Sequence, residues 1–286
     1  QSSGAIATNT WLHLGSKWFY VDANGIRAVG LVKVGAEWYH FSDDGVMSTG
    51  WQQISGSWHY FQANGAQLSD TWISDGGRWY YLENSGAMAT GWKQIGGSWY
   101  LFSKHGSMAT GWQQIGETWY HLGDSGAMTT GWLQIDSTWY YFSSSGAMAV
   151  DWQQIGGTWY YLGDSGAMAT GWKWVHWHWY YFQSNGSMAR NQWVDNYYLD
   201  RNGAMMINRT ATINGRSYTF DGNGRWSTPA IDGSCPDWAP IKGNVNRQGE
   251  KIFHQPGDQS YKVTKPEQCF TTPDDAKSAG FRAAKR

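Results

Sequence analysis

No proline occurs in the first 228 residues of this 286-residue chain, and no cysteine in the first 234. Proline removes a donor from a sheet ladder, so a long stretch without it suits repeated strand pairing. Charge is also scarce: 15% of residues are Asp, Glu, Lys or Arg, against about 25% in an average soluble chain. A net charge of −1 gives no basic field for nucleic acid. No apolar run approaches the roughly 18–20 residues of a membrane-spanning helix. Residues 1–10 hold neither the basic nor the apolar stretch of a signal peptide. What is abundant is aromatic: 22 Trp and 17 Tyr, with 37 Gly, which argues against a disordered chain.

These features are unevenly spread. All six prolines and both cysteines lie at or after Pro229, whereas 21 of the 22 tryptophans lie before it. Residues 1–228 carry 12 basic and 15 acidic side chains, and residues 229–286 carry 9 and 7. The sequence predicts two domains, 1–228 and 229–286, divided within Ser227–Ser234.

The first segment is periodic. Trp72, Trp92, Trp112, Trp132, Trp152 and Trp172 recur about every 20 residues, and Trp51 precedes them. Each is followed seven residues later by a second Trp: Trp58, Trp79, Trp99, Trp119, Trp139, Trp159 and Trp179. Glycine and methionine recur behind them, as in Gly86-Ala87-Met88 and Gly106-Ser107-Met108. The copies degrade at both ends, as repeat arrays do. About 11 are legible, the first truncated: Ser3–Thr8 aligns with the end of later units, so the chain reads as a piece of a longer protein.

Within a unit, Gln-Ile before Gly-Gly and the following Trp-Tyr-Tyr-Phe read as two strands of a hairpin. A polar tetrad ending in Gly closes the next turn. One hairpin is marginal alone, so each must bury an apolar face on its neighbours. The expected fold is all-β: a β-hairpin solenoid followed by a small α+β C-terminal domain.

Two Trp, a Tyr and a Met per unit is an odd choice for core alone, where Leu, Ile and Val would serve. Aromatic faces attract a cation, and Trp attracts it best. A quaternary ammonium has no N–H donor, so a cage of rings with a polarisable Met wall suits it better than hydrogen-bonding groups. The same rings could instead stack on sugars.

Gly91-Trp92-Lys93-Gln94-Ile95-Gly96-Gly97-Ser98-Trp99-Tyr100 and its copies, over roughly residues 4–225, closely resemble the choline-binding repeats of surface proteins from pneumococcus and related Gram-positive bacteria. That resemblance implies noncovalent binding to choline or phosphocholine on teichoic and lipoteichoic acids, and an extracellular location on the bacterial cell wall. It leaves host proteins open as further partners and implies no cofactor. It also implies sites built from the two Trp of one repeat, an aromatic of the next and often a Met. Carried over, these are Trp92, Trp99 and Tyr120 with Met108, and Trp112, Trp119 and Tyr140 with Met128. Trp132, Trp139 and Tyr160 follow with Met148, then Trp152, Trp159 and Tyr180 with Met168. Upstream are Trp72, Trp79 and Tyr100 with Met88, and Trp51, Trp58 and Tyr80, where Leu68 replaces Met. Leu31 and His59 depart from the pattern, so a cage around Trp38 should be poor, and one using Tyr197 is doubtful. His176 and His178 alternate and are expected on one strand face, which would allow metal binding, although exposed strand histidines are the plainer reading. The alternatives are a glucan-binding repeat module, or the targeting module of a cell-wall hydrolase whose catalytic domain lies outside this chain. No catalytic or metal motif is present in the sequence, so no enzyme is expected in these residues.

The tail resembles a small domain appended to secreted Gram-positive nucleases and surface proteins. Ile241–Asn244 and Lys251–His254 read as strands. Thr272–Gly280 reads as a short helix with Thr272 as N-cap, Pro273 in the first turn and Gly280 at its end. On an extracellular protein, Cys235 and Cys269 suggest a disulfide; metal binding with His254 is the alternative. A polar pocket of His254, Lys251, Tyr261 and Glu267 is a further expectation, against a surface His that fixes a turn.

Overall fold

The computed structural model describes residues 6–285. They divide into two compact units, one running to Leu133 and including Tyr141–Met148, the other comprising Gln134–Tyr140 and the chain from Ala149 on. The fragment read at Ser3–Thr8 lies partly outside the described residues.

Gly91–Ile95 pairs antiparallel with Ser98–Phe102, with Trp99 opposite Gln94 and Leu101 opposite Trp92. The two turn residues, Gly96 and Gly97, have φ of 57° and 88°. Two positive φ values give the hairpin turn that matches strand twist, and glycine adopts them without a Cβ clash. The same pattern recurs from Thr10–Leu14 with Lys17–Val21 to Gly171–Val175 with His178–Phe182. Gln192–Val194 and Tyr197–Leu199 form a shortened version.

The polar tetrad makes the second turn. The Gly106 N–H donates to the Ser103 carbonyl at 2.9 Å, with Gly106 at φ 79°. A Cβ on Gly106 would fall on the side chain of Met88, which would have to shift, and the positive φ disfavours any Cβ there. The chain then returns to the preceding hairpin, and the Met108 N–H donates to the Trp79 carbonyl at 2.8 Å.

The buried stack is made not by Trp but by the last residue of each second strand. In the first unit these include Phe41, Phe61, Leu82, Phe102, Leu122 and Phe142; in the second, Leu162, Phe182, Leu199 and Phe220; none of these is more than 2% exposed. Fully burying a side chain of this size contributes about 1.5–3 kcal/mol.

The register pairs Val175 with His178, so His176 and Trp177 are the two turn residues, at φ 44° and 69°. His176 and His178 therefore share no strand face; the His178 ring Nδ1 lies 3.0 Å from the His176 carbonyl. The tail carries strands and a short helix, and no break in the sheet sets it apart from the repeats. Its strands join the last repeat hairpin in one seven-stranded sheet, in the order Arg209–Ile213, Arg216–Phe220, Trp226–Pro229, Gln268–Phe270, Ile241–Val245, Lys251–His254, Arg282–Ala283. Trp226–Pro229 crosses the expected 228/229 boundary and bonds to both sides: Phe220 pairs with Trp226, and Thr228 with Cys269. Trp238 packs on Tyr218 of that last hairpin, with ring centroids 5.4 Å apart.

The helix forms at Pro273–Ser278, with Thr272 and Asp275 exchanging bonds in a capping box. Ile241, Phe253, Phe270, Ala276 and Phe281 form the core beneath it. The polar pocket is not formed as expected. The Tyr261 hydroxyl donates to the Pro240 carbonyl, Lys251 lies over the Phe281 ring, and His254 is buried rather than on the surface.

Cys235 and Cys269 form a disulfide across a sequence separation of 34. Both thiols are consumed, which removes the cysteine ligands of the metal alternative. A loop of that length contributes about 3–4 kcal/mol by chain entropy. Reduction, or the double change Cys235→Ala and Cys269→Ala, is expected to expose the tail to proteolysis below the melting temperature of the repeats. Unchanged digestion kinetics would contradict this.

Candidate aromatic binding site

Strand alternation decides which aromatic faces where. Trp92 and Trp99 lie on one face of their hairpin, because Trp92 pairs with Leu101 and Trp99 with Gln94. Tyr100, between Trp99 and Leu101, points to the opposite face, toward the preceding hairpin. There it meets Trp72, with ring centroids 4.9 Å apart at 64°. The arrangement repeats at Trp51–Tyr80 (5.1 Å, 64°), Trp92–Tyr120 (5.2 Å, 60°) and Trp152–Tyr180 (4.7 Å, 70°). The two Trp of a pair stand nearly perpendicular, as in Trp112–Trp119 (6.2 Å, 85°) and Trp152–Trp159 (6.2 Å, 82°). Three rings thus form an open box.

Trp72, Trp79 and Tyr100 line a cavity of about 430 Å³, and the methionine in it is Met108, not Met88. Met88 lies instead with Trp51, Trp58 and Tyr80, in about 340 Å³. Trp152, Trp159 and Tyr180 are joined by Met188 rather than Met168. The same offset holds along the chain, because the Met N–H bonds back to the second Trp. Met128 donates to Trp99, Met148 to Trp119 and Met168 to Trp139, each at 2.8 Å. A box therefore takes its Trp pair from one unit, Tyr and Met from the next, and rim residues from the segments around them. Tyr140 lies in strand Thr138–Phe142, Tyr160 in Thr158–Leu162 and Trp132 in Gly131–Ile135. Trp132 stacks edge-on against Tyr141 at 5.1 Å.

Two boxes go beyond those expected. Trp11 meets Tyr39 at 4.8 Å and Trp18 at 6.4 Å, and the Met47 N–H donates to the Trp18 carbonyl. Trp172, Trp179 and Tyr197 with Met205 line about 380 Å³. The signal was present in both: the Trp pair keeps its seven-residue spacing. Around Trp38 the box is replaced. Leu31 stands for the first Trp, and His59 for Tyr with its Nδ1 2.6 Å from Gln67 Nε2; the Gln67 N–H takes the methionine's bond to the Trp38 carbonyl. At Trp193 the box is filled from within, by Tyr218 at 5.0 Å and Trp226 at 5.8 Å.

In most pairs the second Trp is the open wall. Trp58, Trp79, Trp99, Trp119, Trp139 and Trp179 remain 39–50% exposed. A periodic row of half-exposed indoles is not how core side chains are placed.

Three of the histidines among these rings are buried or partly buried. His40, His59 and His121 are each held below the usual imidazole value of 6.5, first of all by burial. As pH falls, the unfolded chain takes up these protons before the folded one does. The stability they confer is complete above about 6.5 and is lost as pH falls below it toward their folded values. Melting temperature should therefore drop between pH 7.5 and 5, and His121→Tyr, which restores the common residue, should reduce the drop. An identical pH profile in that variant would contradict the assignment.

The fold and site thus define a repeat-built binding protein with serial aromatic boxes. The choline-binding repeat family model matches residues 48–90, 89–130, 109–151, 129–170 and 150–193, and a second choline-binding repeat model matches 187–226. A cell wall binding repeat model matches 9–26 and 29–47, and a model described as ArfC matches 221–283. CbpJ from Streptococcus pneumoniae TIGR4 is 37% identical, with a TM-score of 0.59, over 68% of this chain and 79% of that one. Choline binding protein F from Streptococcus pneumoniae is 30% identical, with a TM-score of 0.61, over 76% and 91%. The choline-binding domain of CbpL from Streptococcus pneumoniae is 34% identical, with a TM-score of 0.50, over 64% and 100%. No match was found among curated proteins. The chain belongs to the choline-binding repeat family. It is a binding module of the kind that associates with the cell wall through choline. None of its helices is long and apolar enough to cross a membrane, among the described residues.

Proposed function

We propose that the aromatic boxes hold the trimethylammonium heads of choline on teichoic and lipoteichoic acids, attaching the protein noncovalently to the bacterial surface. The observation that carries this reading is the half-exposed second Trp, set perpendicular to its partner and facing a Tyr of the next unit. Such a box offers ring faces to a cation from three sides, and rings act on a quaternary ammonium without any hydrogen bond. Two boxes add a carboxylate at the rim, Asp75 and Asp124, which favours a cation over a neutral sugar. Each box alone should bind at about millimolar, or ~4 kcal/mol. Several boxes on a polymer with repeated choline groups gain roughly 10²–10⁴ by multivalency.

The change in composition near residue 228 is, in this reading, a change of role within a continuous sheet. The repeats bind, and the tail closes the last apolar face. The reading is tested by co-sedimentation with choline-bearing walls and with the same walls stripped of phosphocholine. Retention on the first alone, released by free choline, is expected. Equal retention on both would move the protein to the glycan-binding class.

A further inference from the structure

Four open boxes share their walls and differ at their rims. Asp75 and His105 border that of Trp51 and Trp58, and Asp124 and Ser125 that of Trp72 and Trp79. Asn223 and Arg225 border that of Trp172 and Trp179, but the Arg225 guanidinium already donates to the Ser278 carbonyl. The box of Trp152, Trp159, Tyr180 and Met188, about 460 Å³, is bordered by Arg190, Arg201 and Asn202. Arg190 stands where other units have Thr110, Thr130 and Thr170, and Arg201 where they have Asp124 and Asp164.

Both arginines are solvent-exposed. Among the described residues, neither takes part in any of the ion pairs, which join Lys93 to Glu83, Arg209 to Asp200, Lys277 to Asp274 and Arg282 to Glu250. The nearby carboxylate, Asp200, is already engaged. Its Oδ1 accepts from the Asn202 and Ala204 N–H groups, and its Oδ2 lies 3.5 Å from Arg209. The rim of this one box therefore carries two guanidiniums without a carboxylate partner, beside rings suited to a cation.

We propose that this box is a zwitterion site: the rings hold a quaternary ammonium while Arg190 and Arg201 hold the phosphate ester attached to it. The Trp72, Trp79 and Tyr100 box, with Asp124 at its rim, takes the ammonium and disfavours the phosphate. The inference rests on the ammonium reading above and adds the ligand class of each box. Guanidinium matches phosphate geometry with paired N–H donors, and an exposed pair is weakened by salt.

The test is 19F NMR of the full chain labelled with 5-fluorotryptophan, with Trp159 and Trp79 resonances assigned by Trp159→Phe and Trp79→Phe. Choline and phosphocholine are titrated separately at low salt. The preference for phosphocholine over choline should be about fivefold greater at Trp159 than at Trp79. It should fall toward the Trp79 value in Arg190→Gln/Arg201→Gln, recover in part with Lys at both places, and shrink in about 0.5 M salt. Asp124→Asn should raise the preference at Trp79. Equal preference at both resonances, with both ligands still bound, overturns the inference and leaves the ammonium reading standing. If choline shifts neither resonance, the ammonium reading falls and this one with it. Competition at Trp159 by choline-bearing teichoic acid, but not by phosphatidylcholine vesicles, identifies the ester as wall polymer. The reverse keeps the zwitterion site and identifies a lipid headgroup.

Discussion

Phe102→Ala will destabilise the first unit by about 3–5 kcal/mol, far more than loss of an exposed indole. Phe102 is 2% exposed and its ring centroid lies 5.6 Å from that of Trp72. Its removal leaves a void between hairpins whose spacing is fixed by the Met108-to-Trp79 backbone bond, so collapse can fill little of it. Because each repeat leans only on its neighbours, the loss should be local. Amide exchange should accelerate most along Ser98–Phe102 and the hairpins beside it, with a lowered urea midpoint. A loss below about 1 kcal/mol, or uniform acceleration over the chain, would show that the Phe/Leu stack is not the core of the array.

Trp79→Ala is expected to do the opposite: large loss of binding, small loss of stability. Trp79 is 50% exposed, so its truncation removes less buried area than the loss of an enclosed ring. It is nonetheless one face of its box, and cation–π attraction from an indole is worth about 1–2 kcal/mol in a desolvated site. Affinity at that box should fall about tenfold or more, and calorimetry should count one choline site fewer. Trp72→Ala supplies the contrast. Trp72 packs on Tyr81, Tyr100 and Phe102, so its loss should reduce stability and binding together. If Trp79→Ala and Trp72→Ala destabilise equally, the division between wall and core is wrong.

The repeat, its hairpins and the Trp–Tyr pairing were legible because each rests on a local rule. Two-residue alternation puts Trp99 and Tyr100 on opposite faces in any hairpin, so the Tyr must serve a neighbouring unit. The methionine was placed one unit off because a period fixes positions only modulo the repeat. Which copy supplies Met108 depends on a backbone bond to Trp79, 29 residues back, that leaves no local trace. The expected boundary at 228/229 falls inside a strand. Composition changes there, but Trp226–Pro229 pairs with Phe220 on one side and Cys269 on the other. His176 was misread because turn residues at positive φ are usually Gly or Asn. Only the register, with Val175 opposite His178, forces bulky residues into those places. The rim arginines were passed over because charge at a single repeat looks like surface variation until the turn is seen to border a box.

The boxes should recognise positive charge, not merely apolar shape. Titration of tryptophan fluorescence with choline and with its neutral isostere 3,3-dimethylbutanol tests this most directly. The two ligands match in size and differ in charge at one atom. Saturable change with choline and little with the isostere is the predicted result. Equal response to both, or response to a soluble glucan and none to choline, would contradict it.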